Sequence, residues 1–194
     1  MLPPRAHRLN ARFHLEDEPM SYSMSRASLP AFNLGLAALS SLLDKAATHC
    51  AAKKIEDAVI LQSRLAPDMF AFVRQVQTAT DLAKNGASRL AGVEPPRHAD
   101  DETTFAQLKA RIDATLRYLE TIDPKKIDAA EDREIVFPLG PDAKGAMKGD
   151  DYLAQFVLPN FYFHLAVAYA ILRHNGVELG KRDFLGAISL TPLA

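Results

Sequence analysis

Two prolines, Pro67 and Pro159, fall inside apolar stretches of helical period, and each is followed at once by a polar residue, Asp68 and Asn160. A helix-interior proline has no N–H to donate, and its ring collides with the carbonyl four residues back. The carbonyls of Ser63 and Gln155 are therefore expected to lose their helical partners. A chain with such breaks must bend, divide, or recruit side chains to satisfy what the prolines release. One helical turn beyond Asn160 stands His164, at the end of the run Leu158-Pro-Asn-Phe-Tyr-Phe-His164.

The remaining apolar pattern is helical. Ser28 reads as an N-cap for a first helix over about 29–50, with Pro30 near its start. Phe32, Leu36, Leu39, Leu43 and Ala46 recur at spacings of four, three, four and three, which makes one stripe. A second helical region is expected over about 56–89, with Leu61, Leu65, Phe72, Val76, Ala79 and Ala83 on one face and a bend or division at Pro67. Gly92, Pro95 and Pro96 end it. A third helix over about 102–121 carries Phe105, Leu108, Ile112, Leu116 and Leu119, with Asp100, Asp101 or Thr103 as its cap and Asp123-Pro124 as its stop.

Residues 124–150 are rich in Pro, Gly, Lys and Asp. Within them Arg133–Pro138 alternates like a short strand, and Ala143–Lys148 is expected to pair with it as a hairpin. The fourth helix, about Asp151–His174, is apolar on nearly every side, so it belongs at the centre or against a second subunit. Asn175-Gly176 stops it. Residues 180–186 read as a loop that folds back to cover Phe184 and Leu185. The whole is an all-α four-helix bundle with a small irregular or β-hairpin insertion before the last long helix. One domain is expected over 20–194, preceded by a disordered extension over 1–19, with Met20 an alternative start. The proline-then-polar feature shared by helices two and four hints at pseudo-symmetry.

Composition narrows the function classes. At 194 residues, 48% of them apolar, a single domain buries roughly 70% of its extended-chain surface. The formal net charge of -1 argues against nucleic acid or an anionic membrane as partner. The lone Cys50 rules out an internal disulfide and a Cys-X-X-Cys metal site. No uninterrupted apolar run reaches the ~20 residues of a membrane span, and the first twenty residues have no secretory h-region. A cytoplasmic protein is expected.

Helical rotation of 100° per residue puts Asn160 and His164 on one face, with Leu153, Phe156, Val157, Val167 and Ile171. The same construction puts Asp68 on the core stripe of helix two, with Gln75 two turns along and Arg64 at its edge. Unpaired burial would cost ~1–3 kcal/mol for each polar group, so these groups are expected to partner one another. Two readings follow. In one, His164, Asn160 and Asp68 hold a divalent metal ion in a polar pocket between helices two and four, lined by Arg64 and Gln75, for hydrolysis or group transfer of an unspecified small molecule. One histidine and one carboxylate favour a hard ion such as Mg²⁺ or Mn²⁺. In the other, Asn160 satisfies the carbonyl freed by Pro159, Asp68 accepts from Arg64 or His164, and the cluster only sets helix register in a non-catalytic binding or structural dimer. His49 and Cys50 read as surface groups at a helix end, His98 as a loop residue, and His174 as a favourable charge at a helix C-terminus.

The segments Arg64–Met69, Gln75–Ala79, Arg89–Gly92, Pro159–His164 and Ile171–Val177, followed by Gly180-Lys181, together resemble a domain-of-unknown-function family, mostly bacterial with some fungal members. The resemblance spans about residues 22–186. That family is placed among the DinB/YfiT-like four-helix bundles, a superfamily of predicted metalloenzymes that includes thiol-dependent transferases and isomerases. The resemblance implies the bundle and a homodimer, and names no reaction. The superfamily's metal site takes one His from helix two and a His-X-X-X-His pair from helix four, the second nine residues before an arginine. His164 stands nine residues before Arg173, so it matches the second position, and Asn160 replaces the first. The helix-two position falls near Asp68.

Overall fold

The computed structural model describes residues 22–140 and 142–190, so the expectations for 1–19 and Met20 fall outside the described residues. Helix α1 (Met24–Lys53) begins earlier than its apolar stripe predicts, because Ser23 and not Ser28 is the cap and accepts from the Arg26 N–H. Pro30 is consequently interior. The carbonyl it would otherwise have engaged, that of Arg26, accepts the Tyr22 hydroxyl at 3.0 Å. Ser28 is buried and donates to the Met24 carbonyl at 2.7 Å. Phe32, Leu36, Leu39, Leu43 and Ala46 are all buried.

The second helical region is not one bent helix. It divides into a short α2 (Asp57–Leu61) and a long α3 (Phe72–Ala91), separated by the irregular loop 62–71. Helix α2 has already ended at Leu61, and Pro67 keeps the helix from resuming before Phe72: it cannot donate, and it steers the residue before it out of the helical region. The loop closes on itself where the Phe72 N–H donates to the Ser63 carbonyl at 2.9 Å. Pro67 therefore lies in a turn, unlike Pro159, and the hint of pseudo-symmetry does not hold. Leu65, expected on the core stripe, is 42% exposed.

Helix α4 (Phe105–Glu120) buries Phe105, Leu108, Ile112 and Leu119. Its cap is Thr104, not residue 100, 101 or 103. A capping box with Gln107 satisfies two otherwise unpaired N–H groups. The short helix α5 (Pro124–Asp128) then anchors the N-terminus of α1. Asp128 accepts from the Ser25 N–H at 2.7 Å and the Ser25 hydroxyl at 2.9 Å.

The hairpin expected in the 124–150 segment forms: β1 (Glu134–Pro138) pairs antiparallel with β2 (Lys144–Lys148), Val136 opposite Ala146. Ile135 and Phe137 face inward, and the Phe137 ring lies 4.8 Å from Tyr152 and 4.5 Å from Phe156. The hairpin thus covers the start of the last long helix.

That helix runs through α6 (Gly149–Asp151), a π-helical turn (Tyr152–Val157) and α7 (Leu158–His174). The Leu158 N–H donates to the Leu153 carbonyl, five residues back. A wider turn immediately before Pro159 is the local answer to its missing donor. The composite helix Gly149–His174 has the length and, with a window mean hydropathy of 1.3, the apolarity of a membrane span. Packing against α3 and α1 buries 44% of that window. The tail forms α8 (Lys181–Leu185), a single helical turn rather than a loop, lying on α1. Phe184 packs on Tyr169 at 5.8 Å, but Leu185 stays 38% exposed.

The four long helices α1, α3, α4 and α7 make the bundle. Glycine lets α7 approach closely. A Cβ at Gly35 would lie 2.7 Å from Leu165 Cδ1, and one at Gly86 would lie 2.6 Å from Val157 Cγ1. Overpacking costs ~1–3 kcal/mol, which outweighs the gain of up to ~1 kcal/mol in helix propensity. Gly86→Ala is therefore expected to lower the melting temperature; an unchanged or higher value would show that α3 and α7 can part without loss.

Candidate functional site

The centre of the site is a relay from the 62–71 loop to α7. Gln75, in the first turn of α3 and 1% exposed, donates from Nε2 to the Phe70 carbonyl at 3.0 Å. That bond turns its Oε1 to His164 Nδ1, 2.6 Å away. Because Oε1 can only accept, the network assigns the proton to Nδ1 and leaves the Nε2 lone pair of His164 free. Nε2 has no hydrogen-bond partner among the described residues, yet it is not sealed from solvent as His49 Nε2 and His98 Nε2 are.

His164 itself is 8% exposed. Burial, reinforced by the nearby Arg74 guanidinium, holds its pKa down at about 4. It is therefore a neutral imidazole at neutral pH. Two exposed rings flank it: Phe70 stacks at 6.4 Å with an interplanar angle of 16°, and Phe163 meets it edge-on at 5.3 Å. Phe70 contributes its backbone carbonyl to the relay and its ring to the rim.

Asn160 lies one turn before His164, as helical rotation predicts, at the edge of the buried face. Its Nδ2 donates to the Phe156 carbonyl at 2.6 Å, not to that of Gln155, because the π-helical turn has shifted the hydrogen-bond register. Oδ1 is left without a partner among the described residues.

Asp68 is not on a core stripe. It is exposed in the turn that Pro67 creates, so the 100° rotation carried through from Leu61 does not apply to it. Arg64 is also exposed and reaches the Pro67 carbonyl at 3.4 Å, holding the turn rather than pairing with Asp68. Both line a groove of about 500 Å³ whose walls are the 62–71 loop and residues 100–103. Of the four groups expected to meet, the structure joins Gln75 and His164, leaves Asn160 one turn away, and sets Asp68 with Arg64 in the neighbouring groove.

A divalent ion fits this donor set poorly. His164 Nε2 and Asn160 Oδ1 are two neutral donors on one helix, and Asp68, the carboxylate expected with them, lies in the neighbouring groove. Among the described residues, no three His, Cys, Asp or Glu side chains group closely enough to hold a metal. Hard ions require charged oxygen ligands and more of them.

Sequence reasoning missed a second polar cluster. Arg111 of α4, its side chain 1% exposed, donates from Nε to the Thr80 hydroxyl at 2.7 Å and from Nη2 to Asp81 at 2.9 Å and the Gln77 carbonyl at 3.3 Å. Its Nη1 reaches Asp100 at 2.7 Å and Glu102 at 3.0 Å. Lys84, 4% exposed, shares Asp81 at 3.0 Å. The signal was present in the spacing: Leu108, Arg111 and Thr115 share one helical face, so a charge stood on the core stripe. Cys50, read as a surface group, is 1% exposed, and burial raises its thiol pKa.

Residues 24–185 match the model of a family described as Domain of unknown function (DUF1993). The chain is similar to the crystal structure of a DinB family member protein from Shewanella denitrificans, at 39% identity and a TM-score of 0.81, over 87% of this chain and 95% of that one. No curated protein matches it.

Proposed function

The chain belongs to the DUF1993 family of domains of unknown function and has a DinB-like fold, and from that premise we propose that it is a cytoplasmic, homodimeric, non-catalytic binding protein. Its Gln75–His164 pair sets the register of α3 against α7. The same pair offers the Nε2 lone pair, between the Phe70 and Phe163 rings, to a small molecule that carries a hydrogen-bond donor. The observation that carries this reading is the 2.6 Å contact between Gln75 and His164, with Gln75 locked in turn by the Phe70 carbonyl. A buried polar pair with one permitted arrangement penalises every other register of the two helices.

The homodimer is supported by the outer face of α7, where Tyr162 and Phe163 are 44% and 54% exposed beside the exposed Ala166. Such a face on the most apolar helix of the bundle suits a second copy.

One observation favours the alternative, a re-tuned divalent metal site for hydrolysis or group transfer. A histidine with Nδ1–H fixed by an acceptor and Nε2 free is the arrangement that metal-binding histidines adopt. The missing charged donor weighs against it. Metal analysis of the dialysed protein separates the two, with light scattering on the same sample. The expected results are a dimer, no stoichiometric ion, and a stability loss of ~1–3 kcal/mol in His164→Ala. One ion per chain, lost in His164→Ala, would overturn the proposal.

A further inference from the structure

Residues 93–103 connect the Gly92 cap of α3 to the Thr104 cap of α4 without regular structure. They are tied down by charge rather than by apolar burial. Asp100 bridges Arg111 and Arg74, each at 2.7 Å. Glu102 accepts from Arg111 at 3.0 Å and from Gln77 Nε2 at 2.7 Å. Asp100 sits at φ 60, in the left-handed region that Asp tolerates better than most non-glycine residues. Asp100–Thr103 form one wall of the 500 Å³ groove whose other wall is the 62–71 loop.

His98 stands within this segment. Its Nε2 is sealed from solvent and has no partner among the described residues. The charged groups near enough to act on it are Lys84 and Asp81 of α3, Arg111 of α4, and Glu102 of the segment itself. Both cations are buried and already share the available carboxylates. A neutral imidazole is tolerated here. An imidazolium would add a third cation and a buried donor with no acceptor.

We infer that residues 93–103 are a proton-sensitive strap: protonation of His98 sets an imidazolium against Lys84 and Arg111, frees Asp100 and Glu102 from Arg111, and opens the groove beside the 62–71 loop. This inference is independent of the reading of His164. Burial, then Lys84 and Arg111, hold the His98 pKa below an ordinary imidazole's 6.5, against the opposing pull of Asp81 and Glu102. The sign follows from that depression. The neutral form locks the strap above pH 6.5, and the lock weakens as pH falls below it. Asp100 and Glu102, against the upward push of burial, are held below their ordinary values by Arg74, Gln77 and Arg111.

Backbone ¹⁵N relaxation on the full chain tests the strap. Order parameters for residues 97–102 are expected to fall from ~0.85 at pH 7.5 toward ~0.6 as pH is lowered through the His98 titration, followed by NMR on the same sample, with α4 unchanged. A His164→Gln background removes the titration of His164. His98→Gln is expected to stay rigid throughout. A wild-type strap that stays rigid while His98 becomes protonated, an equal loosening in His98→Gln, or loosening of α4 along with the strap would each overturn the inference. If His98→Gln fails to fold, direct NMR titration of His98 decides. A folded pKa below 6.5 with loosening at that pKa supports the strap, and a pKa at or above 6.5 overturns it.

Discussion

Arg111→Met is expected to lower the unfolding free energy by about 3–5 kcal/mol, with the midpoint of a urea titration shifted and the slope unchanged. The side chain is 1% exposed and supplies hydrogen bonds to five acceptors on α3 and on the segment before α4. Methionine fills much of the volume but leaves Glu102 without its cation, Asp81 with Lys84 alone and Asp100 with Arg74 alone. Arg111→Lys should recover only part of the loss. An ammonium is a point charge and does not reproduce the planar fork that reaches Thr80, Asp81, Asp100 and Glu102 together. A loss below about 1 kcal/mol in Arg111→Met would mean that the carboxylates find water or Arg74 instead, and that the cluster contributes little.

Acid is expected to cost the protein about 3 kcal/mol through His164 alone. Its pKa is about 4 in the folded chain, against 6.5 for an ordinary imidazole, a gap of about 2.5 units at 1.36 kcal/mol each. Because the folded value is depressed, the stability is fully present above pH 6.5. It is lost progressively as pH falls toward 4. His164→Gln keeps a polar side chain next to Gln75 but removes the titration. The difference between the two stability profiles isolates His164 from His98, which acts in the same direction over part of the same range. Parallel profiles between pH 7 and 4 would show that His164 titrates freely and that its burial carries no electrostatic cost.

The bundle was legible because its signal is periodic and local. The stripes of α1 and α4 and the alternation of Arg133–Pro138 follow from side-chain direction alone, and most of those residues are buried or paired as expected. The domain-of-unknown-function resemblance rested on several separated motifs in order, and the family and the DinB-like neighbour agree with it. That Gln75 and His164 would both be drawn into the core followed from their stripes, but the partner expected for His164 was Asp68, and the Gln75–His164 contact emerged only in the structure. Asp68 was misplaced because rotation at 100° per residue holds only while a helix is unbroken. The helix ends at Leu61 and the next begins at Phe72, and the construction carried straight on through the loop between them. The Asn160 repair went to the Phe156 carbonyl beside a π-helical turn; Pro159 marks a break there, but the sequence does not say whether a kink or a wider turn meets it.

By itself, the order of residues determined which segments are helical, which faces are apolar, and that polar groups at 75 and 164 would be drawn inward. Those properties depend on spacing along one chain. Which polar groups meet was decided only in three dimensions. Arg111 is joined to Asp81, Asp100 and Glu102, Phe70 to Gln75, and His98 is enclosed among them. These partners come from elements whose relative placement is set by close packing at Gly35 and Gly86 and by the ties between loops and helices. Electrostatic and hydrogen-bond energies change over a few ångströms, a distance that no spacing along the chain encodes.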